Sequence, residues 1–199
     1  STKKFGKFNL TTLKLNQIAK LKVFSNSYFS SDIKSLNLYA QKKKFNLIER
    51  PSNYMGKATI SDFAPFLARN IEEEHICYIT NTSPLLLNST LKRAINIYKK
   101  LNFKKYDSLS TFEVCNEFLW NDKGSLNYKV TSQPMSQKLK GIYKFIPAIS
   151  IIPKKKLIKF KNVIGVKPYK LIIKKPETID IDTIYDYELA KIFNKKPKI

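Results

Sequence analysis

Helix-like and strand-like periodicities alternate along the chain. Residues 12–22 predict a helix, with Leu13, Ile18, Ala19 and Leu21 as its apolar positions. Residues 27–31 predict a short strand, and Asp32 a cap for a helix reaching Lys43. Residues 46–49 predict a second strand, stopped by Pro51, followed by a loop over 52–59 and a helix over 60–71. The run Ile76-Cys77-Tyr78-Ile79 predicts a buried strand over 75–80. The clearest helix spans 90–101, where Leu91, Ala94, Ile95, Tyr98 and Leu101 recur at helical spacing and Asn88 or Ser89 can cap the start. Beyond it lie a strand over 108–115, a polar, turn-rich stretch over 116–137, an extended run over 142–152 and two short strand patterns within 159–175, around Gly165 and Pro168. A helix capped by Asp182 runs to Phe193.

This alternation predicts an α/β fold with a mainly parallel sheet. Neither an internal repeat nor a linker interrupts it, so residues 1–199 read as one domain, and 43% hydrophobic content is enough for a core. No apolar run approaches membrane-spanning length and no signal-peptide core follows the first residues, so a cytoplasmic protein is expected. Cys77 and Cys115 sit within apolar runs and read as free thiols.

Charge changes the picture less than its size implies. Lys plus Arg number 37 against 15 Asp plus Glu, a net charge of +22. Nearly all of it is lysine in scattered short runs, and arginine, which clamps phosphates and reads guanine edges, is scarce. The pattern favours a solvated surface over an anionic small substrate, and either over nucleic acid. Five glycines make no phosphate-cradling loop, and the lone His75 reads as structural, which disfavours a Ser-His-Asp hydrolase or a zinc site.

Three segments carry candidate chemistry. Asp180 and Asp182 alternate in Ile179-Asp180-Ile181-Asp182-Thr183, which on an extended backbone puts both carboxylates on one side. Such a pair can hold Mg²⁺; equally, Asp182 can cap the last helix, with Asp186 completing a capping box. Thr80-Asn81-Thr82-Ser83-Pro84 follows the buried strand, where α/β sheets bind ligands, or is a plain turn. Gln133–Leu139 is weak by itself.

Taken in order, these pieces resemble the acylneuraminate cytidylyltransferase family of CMP-sugar synthetases. The resemblance runs through Tyr28-Phe29-Ser30-Ser31-Asp32, Glu49-Arg50-Pro51 with Tyr54-Met55-Gly56, Thr82-Ser83-Pro84-Leu85, Pro134-Met135-Ser136-Gln137 and Ile179–Thr183 with Asp186. It implies a three-layer Rossmann-like nucleotidyltransferase fold and transfer of CMP from CTP to an acidic nonulosonate-type sugar. It further implies Mg²⁺ on Asp180 and Asp182 as the catalytic pair, the nucleotide near Arg50, Gly56, Thr59 and Thr80, and the sugar near Thr82, Ser83 and Gln137. A homodimer packing through a small β arm over 116–142 is implied as well.

The chain also departs from that pattern. Its first family-like element is the helix that follows the family's opening strand and triphosphate loop. Lys57, Met135 and Ser150 replace residues expected at the nucleotide and sugar pockets. The strand ahead of that helix is central in the family, so its neighbours are expected to lack a partner unless an upstream segment, the residues around 5–10 or a partner takes its place. An inactive relative serving as a binding or partner subunit is therefore the alternative reading, with a lysine-rich nucleic-acid-binding domain behind it.

Overall fold

The computed structural model describes residues 4–54, 58–139 and 141–195. A two-strand hairpin, β1 (Lys4–Phe5) with β2 (Phe8–Asn9), leads into helix α1 (Leu10–Leu21). Asn9 starts the helix through a capping box: its side chain accepts from the Thr12 amide at 2.8 Å, and Thr12 Oγ1 accepts from the Asn9 amide. The buried face of α1 is Leu10, Thr11, Lys14, Leu15, Ile18 and Leu21. Leu13 and Ala19, expected among its apolar positions, are only partly buried, and a lysine occupies the core-facing stripe instead.

Strand β3 (Tyr28–Phe29), helix α2 (Lys34–Lys42) and strand β4 (Asn46–Leu47) follow, β3 and β4 pairing in parallel. Asp32 does not cap α2; the N-cap is Ile33, whose amide donates to Ser31 Oγ. Helix α3 (Ile60–Arg69) opens on a Thr59–Asp62 capping box. Strand β5 (His75–Ile79) and helix α4 (Asn88–Lys99) lie within two residues of expectation, although Leu87, not Asn88 or Ser89, occupies the N-cap. Strand β6 (Ser108–Val114), a small hairpin of β7 (Trp120–Asn121) and β8 (Gly124–Ser125), and the long strand β9 (Tyr143–Pro153) come next. The lysine run at 154–156 opens helix α5 (Lys154–Phe160), which periodicity did not reveal. Only one strand, β10 (Pro168–Ile172), forms within 159–175, and the last helix is α6 (Ile184–Lys195).

The central sheet has the order β10-β6-β9-β5. Strands β5, β6 and β10 share one direction and β9 runs against them between β6 and β5, so the α/β expectation holds but the central sheet is mixed: the β6–β10 ladder is parallel and both ladders of β9 are antiparallel. On one face Leu15, Leu91, Leu109 and Ile151 join α1, α2 and α4 to the sheet. On the other, Ile76, Ile152, Ala64, Ala68 and Leu157 join it to α3 and α5. Ile151 and Ile152 thus face opposite layers, as the two-residue period requires. Each layer's burial removes apolar surface from water at about 25 cal/mol per Å². The β1–β2 hairpin packs with α6 through Phe5, Leu10 and Ala190, away from the central sheet.

The sheet interior is unusually hydroxylated. Ser110 and Ser150 oxygens lie 2.9 Å apart, and Thr111 Oγ1 donates to the Ile146 carbonyl at 2.7 Å. Position 150 is thus a sheet-core residue. Gly165 closes the approach to β10 at φ +88°, where a Cβ would lie 2.2 Å from Ser108 Oγ and 2.4 Å from Asp107 Oδ1. Those atoms are engaged: Ser108 Oγ hydrogen-bonds Asp107, whose other oxygen accepts from the Val166 and Lys167 amides. Gly165→Ala is therefore expected to cost about 2–3 kcal/mol, read as a lowered urea midpoint at unchanged slope.

Candidate functional site

The turn after β5 is built by its own hydroxyls and by α1. Thr80 Oγ1 donates to the Pro147 carbonyl at 2.6 Å, and Asn81 donates to Thr11 Oγ1 at 2.8 Å. Ser83 is fully buried, and its carbonyl accepts from the Lys14 ammonium at 2.9 Å. Lys14 also donates to Gln17, which in turn donates to the Leu86 carbonyl. Burial lowers the Lys14 pKa to about 7.

The aspartate segment reaches this turn from the far edge of the sheet. After β10 the chain turns at 175–178 and then lies against the β5 turn, the Ile181 amide donating to the Thr82 carbonyl at 2.9 Å. Glu177 fixes the same approach by accepting from the Leu87 amide. Residues 179–181 belong to no strand, so no strand supplies the alternation expected there. Asp180 is half-buried and Asp182 exposed. Thr183, not Asp182, caps α6: its amide and hydroxyl donate to Asp186, and the Asp186 amide donates back to its hydroxyl. Asp182 is thereby released from the capping role, while Asp186 completes the box as expected.

Asp180 Oδ1 is buried and has no hydrogen-bond partner among the described residues. Burial raises the Asp180 pKa; the Thr82 hydroxyl works against that shift, the Asp182 and Asp186 charges add to it, and Lys144 opposes it. Asp186, by contrast, is held low by its hydrogen bonds from Thr183. The buried Asp180 oxygen is left open to a further hydrogen bond or a cation, while no group of three or more His, Cys, Asp or Glu side chains among the described residues is placed to hold a metal ion by itself.

Not every candidate residue joins this cluster. Thr80 and Thr82 line a cavity of about 780 Å³ together with Arg50. Arg50 donates to the Ser30 carbonyl at 3.0 Å and its guanidinium stacks on Phe63. Thr59 is used as a helix cap, its hydroxyl donating to Asp62. Gln137 is exposed on a short 3-10 turn and lines no part of this cavity. Gly56 lies outside the described residues. His75 is structural, Nδ1 lying 2.9 Å from the Tyr98 hydroxyl, and both cysteines are free, Cys77 being pushed up to about 12 by burial. Asn81 belongs to the turn that the sequence singles out, whereas Lys14 is singled out by nothing in that reading. A lysine inside the 11-14-15-18 stripe of α1 was the available signal.

With this geometry in place, comparison with solved structures defines the fold. 4-Diphosphocytidyl-2C-methyl-D-erythritol synthase from Anaerococcus prevotii aligns over 97% of this chain and 88% of its own, at TM-score 0.70 and 11% identity. A second 4-diphosphocytidyl-2C-methyl-D-erythritol synthase aligns over 98% and 94%, at TM-score 0.72 and 9% identity. CMP:2-keto-3-deoxy-manno-octonic acid synthetase, in a structure complexed with CTP, aligns over 97% and 90%, at 0.64 and 7%. No family model and no curated relative matches the sequence. The chain has the α/β fold of the nucleotidyltransferases, in the form that cytidylyltransferases share. No helix among the described residues is long and apolar enough to cross a membrane.

Proposed function

We propose that this protein transfers the cytidylyl group of CTP to a hydroxyl of an acidic nonulosonate-type sugar, with release of pyrophosphate. The observation that carries the reading is the seat of Asp180. Its unpartnered buried oxygen lies against the Thr82 turn, at the end of the sheet where β5, β6 and β10 terminate, on a fold shared with enzymes named for cytidylyl chemistry. Asp180 and Asp182 would hold Mg²⁺. Bound there, the ion supplies charge neutralisation at the phosphates.

The chain's own residues supply position. The Thr82 carbonyl and Glu177 hold the aspartate segment against the β5 turn. Lys14 and Gln17 hold that turn against α1. Arg50, fixed by Ser30 and Phe63, keeps a buried Nε without a partner for an anionic group. A homodimer through the β7–β8 arm completes the proposal, supported by exposed Trp120, Leu126, Val130 and Met135 on that arm.

Incubating the chain with CTP, Mg²⁺ and a panel of eight- and nine-carbon acidic keto sugars tests the reaction. Pyrophosphate release with at least one sugar is expected. The open cavity flanking β5 favours a second reading, an inactive subunit that binds CTP without turnover. Calorimetric CTP binding with no pyrophosphate from any sugar would select it, and no binding at all would sink both.

A further inference from the structure

Helix α4 carries two stripes. Leu91, Ala94 and Tyr98 are buried in the core. Lys92, Arg93, Asn96 and Lys100 recur at three- and four-residue spacing on the exposed side. A solvated helix face of this kind ordinarily interleaves acids with its bases and needs no opposing wall. This one differs on both counts. With Tyr106, from the segment between α4 and β6, and Tyr169, on β10, it lines an open groove of about 720 Å³. Among the described residues no acidic side chain lines that groove. It shares no lining residue with the cavity beside β5, so the two are separate sites.

Several contacts hold the groove in shape. β10 is an edge strand of the central sheet, and Arg93 reaches it, the guanidinium donating to the Ile172 carbonyl at 3.0 Å. A guanidinium has further N–H donors to offer once one is used. Arg93 is one of three arginines in the chain, so the scarce phosphate-clamping residue is present where the lysines gather. The two tyrosines meet edge to face, with centroids 5.4 Å apart and planes at 82°. That geometry covers one face of one ring only. The turn carrying Tyr106 is fixed by Asn102, whose side chain accepts from the Lys104 amide and whose carbonyl accepts from the Tyr106 amide, both at 3.0 Å. Lys105 Nζ lies 5.3 Å from the centre of the Tyr106 ring, which adds a cation beside the rings.

We propose that this groove binds a single-stranded nucleic acid. The cations of α4 meet its phosphates, and the tyrosine pair offers ring faces on which bases stack. The Asn96 amide, also in the groove, can donate to and accept from base edges. From Ser89 to Lys100 the helix runs about 17 Å, the length of roughly five nucleotides at the stacked spacing of 3.4 Å. A duplex fits less well, because its bases are already stacked and show no free face. A polyanion without rings would use the cations and leave both tyrosines idle. The net charge of +22 attracts any polyanion; only here is that charge joined to a pair of aromatic rings in a groove.

The test titrates the 199-residue chain into a fluorescein-labelled oligouridylate of about a dozen nucleotides and follows anisotropy. Binding is expected between about 50 and 200 mM KCl, with log K falling against log salt by about 0.7 per phosphate engaged. Lys92→Gln combined with Lys100→Gln should weaken binding at least about tenfold and lower the slope by about 1.4. Lys34→Gln combined with Lys42→Gln removes the same charge from α2 and should weaken binding by less than about threefold. All four lysines are exposed, so both double variants are expected to fold. Tyr106→Leu should weaken binding roughly tenfold at unchanged slope. Inorganic polyphosphate of equal charge, which tests the rings without a variant, should compete at least about tenfold less well than unlabelled strand. Excess CTP should leave the strand bound. Equal losses from the two lysine pairs, equal competition by polyphosphate, displacement by CTP or no binding would each overturn the proposal. None of these readouts depends on cytidylyl transfer, so the fate of the proposed reaction leaves the groove's occupant undecided and the reverse.

Discussion

Asp180→Asn is expected to cut pyrophosphate release roughly 10³-fold while leaving Tm no lower than in the parent chain. If the proposed reaction holds, losing one of the two carboxylates assigned to Mg²⁺ removes several kcal/mol of transition-state charge stabilisation, and about 4 kcal/mol corresponds to that factor. Stability should move the other way or not at all. Burial disfavours the Asp180 charge, and Asp182 and Asp186 repel it, so the neutral amide relieves an unfavourable arrangement. The two measurements together separate a functional carboxylate from a structural one. An Asp180→Asn chain that turns over normally removes Asp180 from the reaction; one that loses activity and melts earlier marks it as a scaffold residue.

The second large effect concerns Lys14. Its pKa falls from 10.5 to about 7 in the folded chain because burial penalises the ammonium. Between those values the unfolded chain binds more protons than the folded one, so stability rises with pH across the window from about 7 to 10.5. Below it the penalty is constant; above it the penalty is gone. The full span is on the order of 3–5 kcal/mol. Lys14→Met removes the titrating group, so the difference between the two chains' urea-unfolding free energies should change by that span from pH 7 to 10.5, the parent gaining on the variant as pH rises. Parallel curves for parent and variant would contradict this. The hydrogen bonds from Lys14 to Ser83 and Gln17 make a second consequence. A loop adjoining the candidate site is held by a cation whose charge is marginal near neutrality.

Most of the architecture was legible in the sequence because long amphipathic or apolar stretches obey one period. The α1, α4, β5, β6 and β9 segments are of this kind, and each lies within two residues of its expected bounds. The misreadings have local causes. Helix α5 begins with three lysines, so its first turn offers no apolar signal, and a single buried residue, Leu157, anchors it. Lys14 was invisible because a lysine is ordinarily assigned to solvent; here its stem lies in the core stripe and its ammonium finds two acceptors. Asp182 was read as a possible cap because it precedes a helix, yet Thr183 is one residue closer to the first turn and takes the role. Gln137 depended on a motif resemblance across a polar stretch, where no periodicity fixes which way a side chain faces. The burial of β5 was overestimated for a different reason: side-chain pattern reports apolar faces, whereas the open edge is a property of backbone neighbours.

The long reversed strand has a temporal consequence. β9 is the only described strand that contacts both β5 and β6, and β10 joins the sheet through β6. His75–Ile79 and Ser108–Val114 therefore have no partner in the central sheet until Tyr143–Pro153 has left the ribosome. Pairings separated by so much sequence carry a loop-closure cost before they return anything. During synthesis the apolar segments of β5 and β6 must wait as open edges, the form most prone to wrong partners. The emergence of Tyr143–Pro153 is thus the step on which assembly of the central sheet depends.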